Sequence, residues 1–232
     1  MYILALDTSN KFQISLLKQD IIIDSISLDR SFFVREKTSM SDVVLLYISD
    51  MLKNQNLLIK DIGCIAIING SGYFTGIRIS IVVAKILKLA LNIPVFSFSS
   101  SYIQYKEIQP QMQKDSLVIV ALDIGKSGCV LSIYNHVGTI IEDTYIDEED
   151  LESFFKENNI EIDNLIIVGA KQDLFKEIEY FSTSKYCSNI VVPSLKVLGL
   201  EALKSYNKGE IQDNIKPFYV KDVDMIVKKE GN

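Results

Sequence analysis

An apolar strand that closes on an aspartate occurs twice in this chain, in the same company each time. Ile3-Leu4-Ala5-Leu6-Asp7-Thr8-Ser9 runs from buried-strand residues into turn-forming polar ones. A second strand over Phe12 to Leu17 follows, and Ile21-Ile22-Ile23 begins a third. The order returns with Val118-Ile119-Val120-Ala121-Leu122-Asp123, then Ile124-Gly125-Lys126-Ser127-Gly128, then Cys129 to Ile133, then a strand around Thr139-Ile140-Ile141. Ala5-Leu6-Asp7 falls on Ala121-Leu122-Asp123, and Ile14 to Leu17 on Val130 to Ile133, at one offset of 116 residues. Two short apolar strands match by chance often. Strand, turn, strand and strand matching in one order at one offset is a duplication signal.

Two halves that each open on a β-hairpin with an aspartate in its turn resemble the architecture of actin, hexokinase and Hsp70 (the ASKHA, ribonuclease H-like fold), whose hairpin turns hold nucleotide phosphates. The expected fold is α/β: an actin-like pair of duplicated subdomains, mixed sheets flanked by helices, the second subdomain reduced. Residues 1–105 are assigned to the first and 106–232 to the smaller, degenerate second, whose tail is free to return to the first. The polar stretch Ser99 to Asp115, with Pro110, reads as the link. Beyond it, Asp147-Glu148-Glu149-Asp150 opens a helix to about Asn158, the acids complementing its dipole. Leu165 to Val168 reads as a strand, Gln172 to Phe181 as a helix and Ile190 to Val192 as a strand. Ser194 to Asn207 reads as a helix with Gly209 just past its end.

Between the first strands and the link, Asn69-Gly-Ser-Gly-Tyr-Phe-Thr-Gly-Ile-Arg-Ile-Ser80 joins the apolar run Cys64 to Ile68 to a helical run from Ile77 to Leu91. Strand, glycine-rich turn and helix start in that order can converge backbone N–H groups on an anion. Glycines at 70, 72 and 76 miss the G-x-G-x-x-G spacing, and no G-x-x-x-x-G-K-[ST] occurs. A phosphate site and a tight turn without ligand both fit. The helix over Ser39 to Lys53 opens with Ser39 and Asp42 as a capping box. Both helices are apolar nearly all round, and Arg78, Lys85 and Lys88 cluster on one narrow side of the second. Covering one sheet face needs a stripe little wider than about 100°. The surplus is buried either between the two helices or by a partner protein in a four-helix interface.

A length of 232 residues with 48% hydrophobic content allows one large or two small domains and excludes global disorder. No apolar run reaches the roughly 18–20 residues of a membrane span, and a strand from Tyr2 leaves no room for a signal peptide, so a cytoplasmic protein is expected. Cys64, Cys129 and Cys187 lie far apart and read as reduced structural residues. His136, the only histidine, precedes Val137-Gly138 in a hairpin turn, which removes histidine-based metal clusters and argues against a Ser-His-Asp or Cys-His site. A net charge of −6 leaves no basic footprint, Lys228-Lys229 being too short, so any nucleic-acid role is indirect.

The opening Ile3-Leu-Ala-Leu-Asp-Thr-Ser9, the segment Gly70-Ser-Gly-Tyr-Phe-Thr-Gly-Ile-Arg78 and the tail Pro217-Phe-Tyr-Val-Lys221 resemble the TsaB (YeaZ) family. Gly70, Gly72, Phe74, Thr75, Gly76 and Arg78 match its central motif, whereas Ser71, Tyr73 and Ser80 replace a proline, a serine and a glycine. Arg35-Glu36-Lys37-Thr38 carries Lys37 where the family usually has histidine. The resemblance is strong to about residue 100 and thin beyond. It implies a non-catalytic subunit supporting TsaD, the threonylcarbamoyltransferase that modifies the adenosine beside the anticodon of tRNAs reading codons starting with A. The ATPase TsaE joins, copies pair when alone, and tRNA is met only indirectly. No intrinsic cofactor or metal is expected, and any ATP or ADP belongs to the complex with TsaD. Asp7, Thr8, Ser9, Asp123, Gly125 and Gly128 are then remnants of phosphate turns, the first turn lacking the glycines that close backbone approach needs. Carried over by position, the interface comprises Met40, Val44, Tyr47, Ile48 and Met51, with Phe74, Ile77, Ile81, Ala84 and Leu87. Gly76 is expected to let the two helices approach, and Arg78 either holds a carboxylate or is solvated. Two rivals stand beside this: a competent small-molecule kinase of the superfamily, and a self-contained homodimeric scaffold.

Overall fold

The computed structural model describes residues 1–124, 127–160, 164–176, 178–182, 184–186, 190 and 192–219. The elements, in order, are β1 (Tyr2–Asp7), β2 (Phe12–Lys18), β3 (Ile21–Leu28), α1 (Arg30–Arg35), α2 (Met40–Asn54), β4 (Ile62–Gly70), α3 (Phe74–Leu91), β5 (Val95–Ser99) and α4 (Ser100–Ile108). There follow β6 (Leu117–Leu122), β7 (Cys129–Tyr134), β8 (Thr139–Ile146), α5 (Leu151–Glu157), β9 (Leu165–Val168), α6 (Asp173–Lys176), β10 (Lys185–Tyr186) and α7 (Leu195–Asn207).

The duplication read from two strands extends through both sheets. Their orders are β3-β2-β1-β4-β5 and, in reverse, β10-β9-β6-β7-β8, so β6 to β10 repeat the places of β1 to β5. Register is kept as well: Tyr2 faces Lys18 and Leu6 faces Ile14, while Val118 faces Tyr134 and Leu122 faces Val130, each 116 positions on. Two antiparallel pairings followed by two parallel ones make each sheet mixed. This is the actin-like arrangement. The second copy is reduced, with α5 and α6 of seven and four residues against fifteen and eighteen in α2 and α3.

Met1–Ser100 and Pro193–Phe218 form one compact unit. Period-two alternation sends Leu4, Leu6, Ile14 and Leu16 to one sheet face, where they pack with Val44, Ile48, Ile77, Ile81 and Ala84 of α2 and α3. Helix α7 packs on β1, β4 and β2. There a Cβ on Gly199 would lie 2.7 Å from Leu17 Cδ2. The first unit ends at Ser100 rather than at residue 105, and the chain returns to it as the sequence left open, α7 covering the second face of that sheet. The capping box at α2 is present, Ser39 N donating to Asp42 Oδ2 (3.0 Å) and Asp42 N to Ser39 Oγ (3.4 Å). Helix α3 starts at Phe74, three residues before the expected start, and ends at Asn92 in the left-handed region (φ 54°), two residues before Pro94. A strap after α7 buries Ile215, donates Phe218 N to Asn69 O (2.7 Å), and places Gln212 Oε1 on Ser97 N (2.7 Å) and Ser97 Oγ (2.9 Å) of the outermost strand.

The second unit comprises the described residues of Ser101–Val192, with Tyr219. One face of its sheet packs α5 and an edge-to-face cluster of Phe155, Phe175 and Phe181. The other packs Tyr105 of α4, stacked on Tyr134 with centroids 4.3 Å apart. The expected link therefore holds a helix, hidden in sequence because Ser100-Ser-Tyr-Ile-Gln-Tyr-Lys-Glu-Ile108 buries aromatic and aliphatic positions among polar ones. The single helix expected over Gln172 to Phe181 is two short pieces, α6 and a 3-10 turn at Glu179–Phe181. Ile190 lies in no strand, Val191 is outside the described residues, and β10 takes the fifth place.

Candidate interaction face and the filled hairpin turn

The glycine-rich segment packs on the first hairpin turn. Asp7 Oδ1 accepts from Ser9 N (2.8 Å) and Ser9 Oγ (2.6 Å), which folds the β1–β2 turn back on its own aspartate. Thr8 Oγ1 donates to Gly76 O (2.6 Å) and accepts from Ser80 N (3.2 Å), while Tyr73 N donates to Ser9 O (2.9 Å). A Cβ on Gly76 would lie 1.8 Å from Thr8 O, and one on Gly72 2.7 Å from Ser9 Cβ. Gly76 thus lets the helix start meet the hairpin turn rather than α2, which corrects the expectation made from sequence. Gly70 serves the strap instead, a Cβ there lying 2.5 Å from Phe218 O. Ser80, in place of the family glycine, is fully buried and donates to Ile68 O (3.3 Å) and Ile77 O (3.2 Å).

Thr8 and Ser9 are thus buried beneath the start of α3. Asp7 is fully buried, its Oδ2 has no hydrogen-bond partner, and burial pushes its carboxyl up to about 6 against the lowering pull of Ser9. At the second turn Asp123 is half-buried, 3.9 Å from Lys171 Nζ. Gly128 is packed so that a Cβ would lie 2.0 Å from Ile146 O. Gly125 and Cys187 lie outside the described residues. Among the described residues no group of three or more His, Cys, Asp or Glu could hold a metal, and no helix is long and apolar enough to cross a membrane.

Of the ten interface candidates, Val44, Ile48, Met51, Ile77, Ile81, Ala84 and Leu87 are buried in their own core. They cannot present a surface, and their assignment is corrected. Met40 and Tyr47 are half-buried; Phe74 is exposed. The outward side instead carries Leu45 (52% exposed), Val82 (53%), Ile86 (53%) and Leu89 (85%), beside Phe74 (49%). Phe74 was among the sequence candidates; Leu45, Val82, Ile86 and Leu89 were missed although the signal was there for α3, where Arg78 and Lys85 lie on the same helical side as Val82, Ile86 and Leu89, and cations mark the side away from the core. Between α2 and α3 runs a groove of about 400 Å³ lined by Leu45, Phe74, Arg78, Val82 and Ile86, with Ser41 at its edge. Arg78 is stacked on Phe74, its Cζ 3.6 Å from the ring centroid; Arg30 is stacked likewise on Tyr73 at 3.5 Å.

The family model for TsaD, tRNA N6-adenosine threonylcarbamoyltransferase, matches residues 38–212. The chain is 35% identical over 126 residues to the tRNA threonylcarbamoyladenosine biosynthesis protein TsaB of Buchnera aphidicola subsp. Schizaphis graminum, covering 53% of this chain and 57% of that protein. It is 32% identical over 101 residues to TsaB of Bacillus subtilis, covering 43% and 42%. The match thus spans about half the length of these relatives. Among solved structures, YeaZ from Pseudomonas aeruginosa superposes with a TM-score of 0.71 at 19% identity, over 94% of this chain and 99% of that one, which establishes the fold. The family-model match over residues 38–212 places this chain in the TsaD family, and the relatives it resembles at 32–35% identity are TsaB proteins.

Proposed function

We propose that this protein is a subunit without chemistry of its own that binds and supports a TsaD-type transferase in forming N6-threonylcarbamoyladenosine beside the anticodon of tRNAs reading codons that start with A. The observation that carries this is the outward α2/α3 face, where Leu45, Phe74, Val82, Ile86 and Leu89 stay exposed around a groove. The filled first turn supports assigning the chemistry to the partner, since Thr8 and Ser9 are packed under α3. Any ATP or ADP is held jointly with the transferase, and a TsaE-type ATPase completes this cytoplasmic assembly. A second copy takes the same face when the transferase is absent. The net charge of −6 supports leaving tRNA contact to the partner.

Mixing the full chain with the transferase tests this by gel filtration and a tRNA modification assay. Heterodimer should form at the expense of homodimer. Val82→Glu should abolish both heterodimer and the subunit's support of modification while leaving the melting curve unchanged. A Val82→Glu protein that binds and supports the transferase like wild type overturns the proposal.

A further inference from the structure

Beneath the start of α3, an acceptor and a donor lie buried opposite each other without bonding. Asp7 Oδ2 and Gln13 Nε2 are both buried, and neither has a hydrogen-bond partner. Asp7 and Gln13 are register partners across β1 and β2. Residues so placed share one face of the sheet, with Cβ atoms about 5 Å apart. Ser9 engages Asp7 instead, through its N and Oγ on Oδ1. The turn residues that Asp7 shapes also hold the start of α3: Ser9 O accepts from Tyr73 N, and Thr8 Oγ1 joins Gly76 O to Ser80 N. The anchorage of the helix therefore depends on how one carboxyl divides its bonds.

The charged groups of the surrounding elements are held or turned elsewhere. Lys11 of the turn pairs with Asp29 (3.1 Å). Lys18 of β2 and Cys64 of β4 face Tyr2 and Ile3, at the far end of β1. On α3, Arg78 and Lys85 are exposed and Lys88 donates to Gln212 O (3.0 Å). On α7, Lys196 is exposed and Glu201 accepts from Lys204 Nζ (2.5 Å). Among the described residues, the influences on the Asp7 carboxyl are burial first and then the two bonds from Ser9. A neutral carboxyl leaves one oxygen unserved at modest cost, whereas a buried carboxylate requires a donor there.

We infer that Asp7 and Gln13 form a proton-operated clamp on the start of α3. With its proton in place Asp7 keeps the turn closed on Tyr73 and Gly76. Once the proton passes to solvent, the carboxylate turns toward the Gln13 amide and releases Ser9, and the first turn of α3 loosens with it. Phe74 lies in that turn, but the clamp needs no partner and stands apart from the docking function.

Backbone hydrogen exchange of the full chain by NMR, followed from pH 4 to 7 and referred to unfolded-chain rates, tests this. The opening that exposes the Ser9 and Tyr73 amides should grow on the order of a hundredfold between pH 4 and 6 and then level off. It should be insensitive to low urea, as a local opening is. The Gln13 side-chain amide resonances should titrate together with the Asp7 carboxyl. Asp7→Asn should abolish the pH dependence. Gln13→Met, which withdraws the donor, should move the Asp7 midpoint to higher pH, with circular dichroism checking the fold. Ser9 and Tyr73 amides that share the urea dependence of the core Ile65 amide overturn the clamp, as does an Asp7→Asn protein with wild-type pH dependence. An Asp7 midpoint unmoved by Gln13→Met overturns it too. Should either variant fail to fold, wild-type resonances decide: a Gln13 amide that ignores the Asp7 titration overturns the inference, and one that follows it supports the inference.

Discussion

A buried carboxylate is tolerated when hydrogen bonds or protonation relieve the desolvated charge, and at Asp7 only one oxygen has such relief. Its folded pKa of about 6 lies above the ordinary value of 3.8, so the folded state holds the proton where the unfolded state has released it. Stability contributed by Asp7 therefore falls as pH rises from about 3.8 to about 6 and is level above, a loss of about 3 kcal/mol. Asp7→Asn should remove that slope: the difference in denaturant midpoint between the two proteins should change across this window and stay constant above it. Gly76 is under a different constraint. A methyl group there meets backbone at 1.8 Å, which no rotamer change relieves, so Gly76→Ala should destabilise by about 3 kcal/mol or more in urea unfolding. Gly138→Ala, with nothing within 4 Å, should stay within about 0.5 kcal/mol.

Adjacent residues of α3 have opposite fates. Ile81 is 4% exposed and sits in the core cluster, so Ile81→Glu should cost at least about 4 kcal/mol and lose cooperative unfolding. Val82→Glu, one position on and half exposed, should melt within a degree or two of wild type. Sequence revealed that α3 is apolar on too many sides, and its apolar periodicity carries no phase when nearly every position is apolar; the phase had to be read from the few residues that are not. Phase comes from Gly76 and Ser80, drawn onto the hairpin turn, and from Arg78 and Lys85 opposite them. The start of α2 was legible because Ser39 and Asp42 form a local hydrogen-bonded pair whose spacing is its own signal. Helix α4 was not, since its burial depends on Tyr134, far along the chain.

At the level of the whole chain, the hairpin echo was readable because strand register repeats residue for residue. That the tail could return was left open from sequence, but which segment returns was not legible, because what draws α7 to the first sheet is an uncovered face, which no local pattern announces. It follows that residues 1–105 alone lack the helix that covers Leu17, and this fragment should give a broad, aggregating unfolding transition by circular dichroism, where the full chain melts cooperatively. The strap that follows α7 has a separate consequence. At Ser97 the outermost strand spends its amide on Gln212, a residue of its own tail. A strand from a neighbouring molecule would have to dislodge that glutamine before zipping alongside, so fibrous stacking on this flank is obstructed from within.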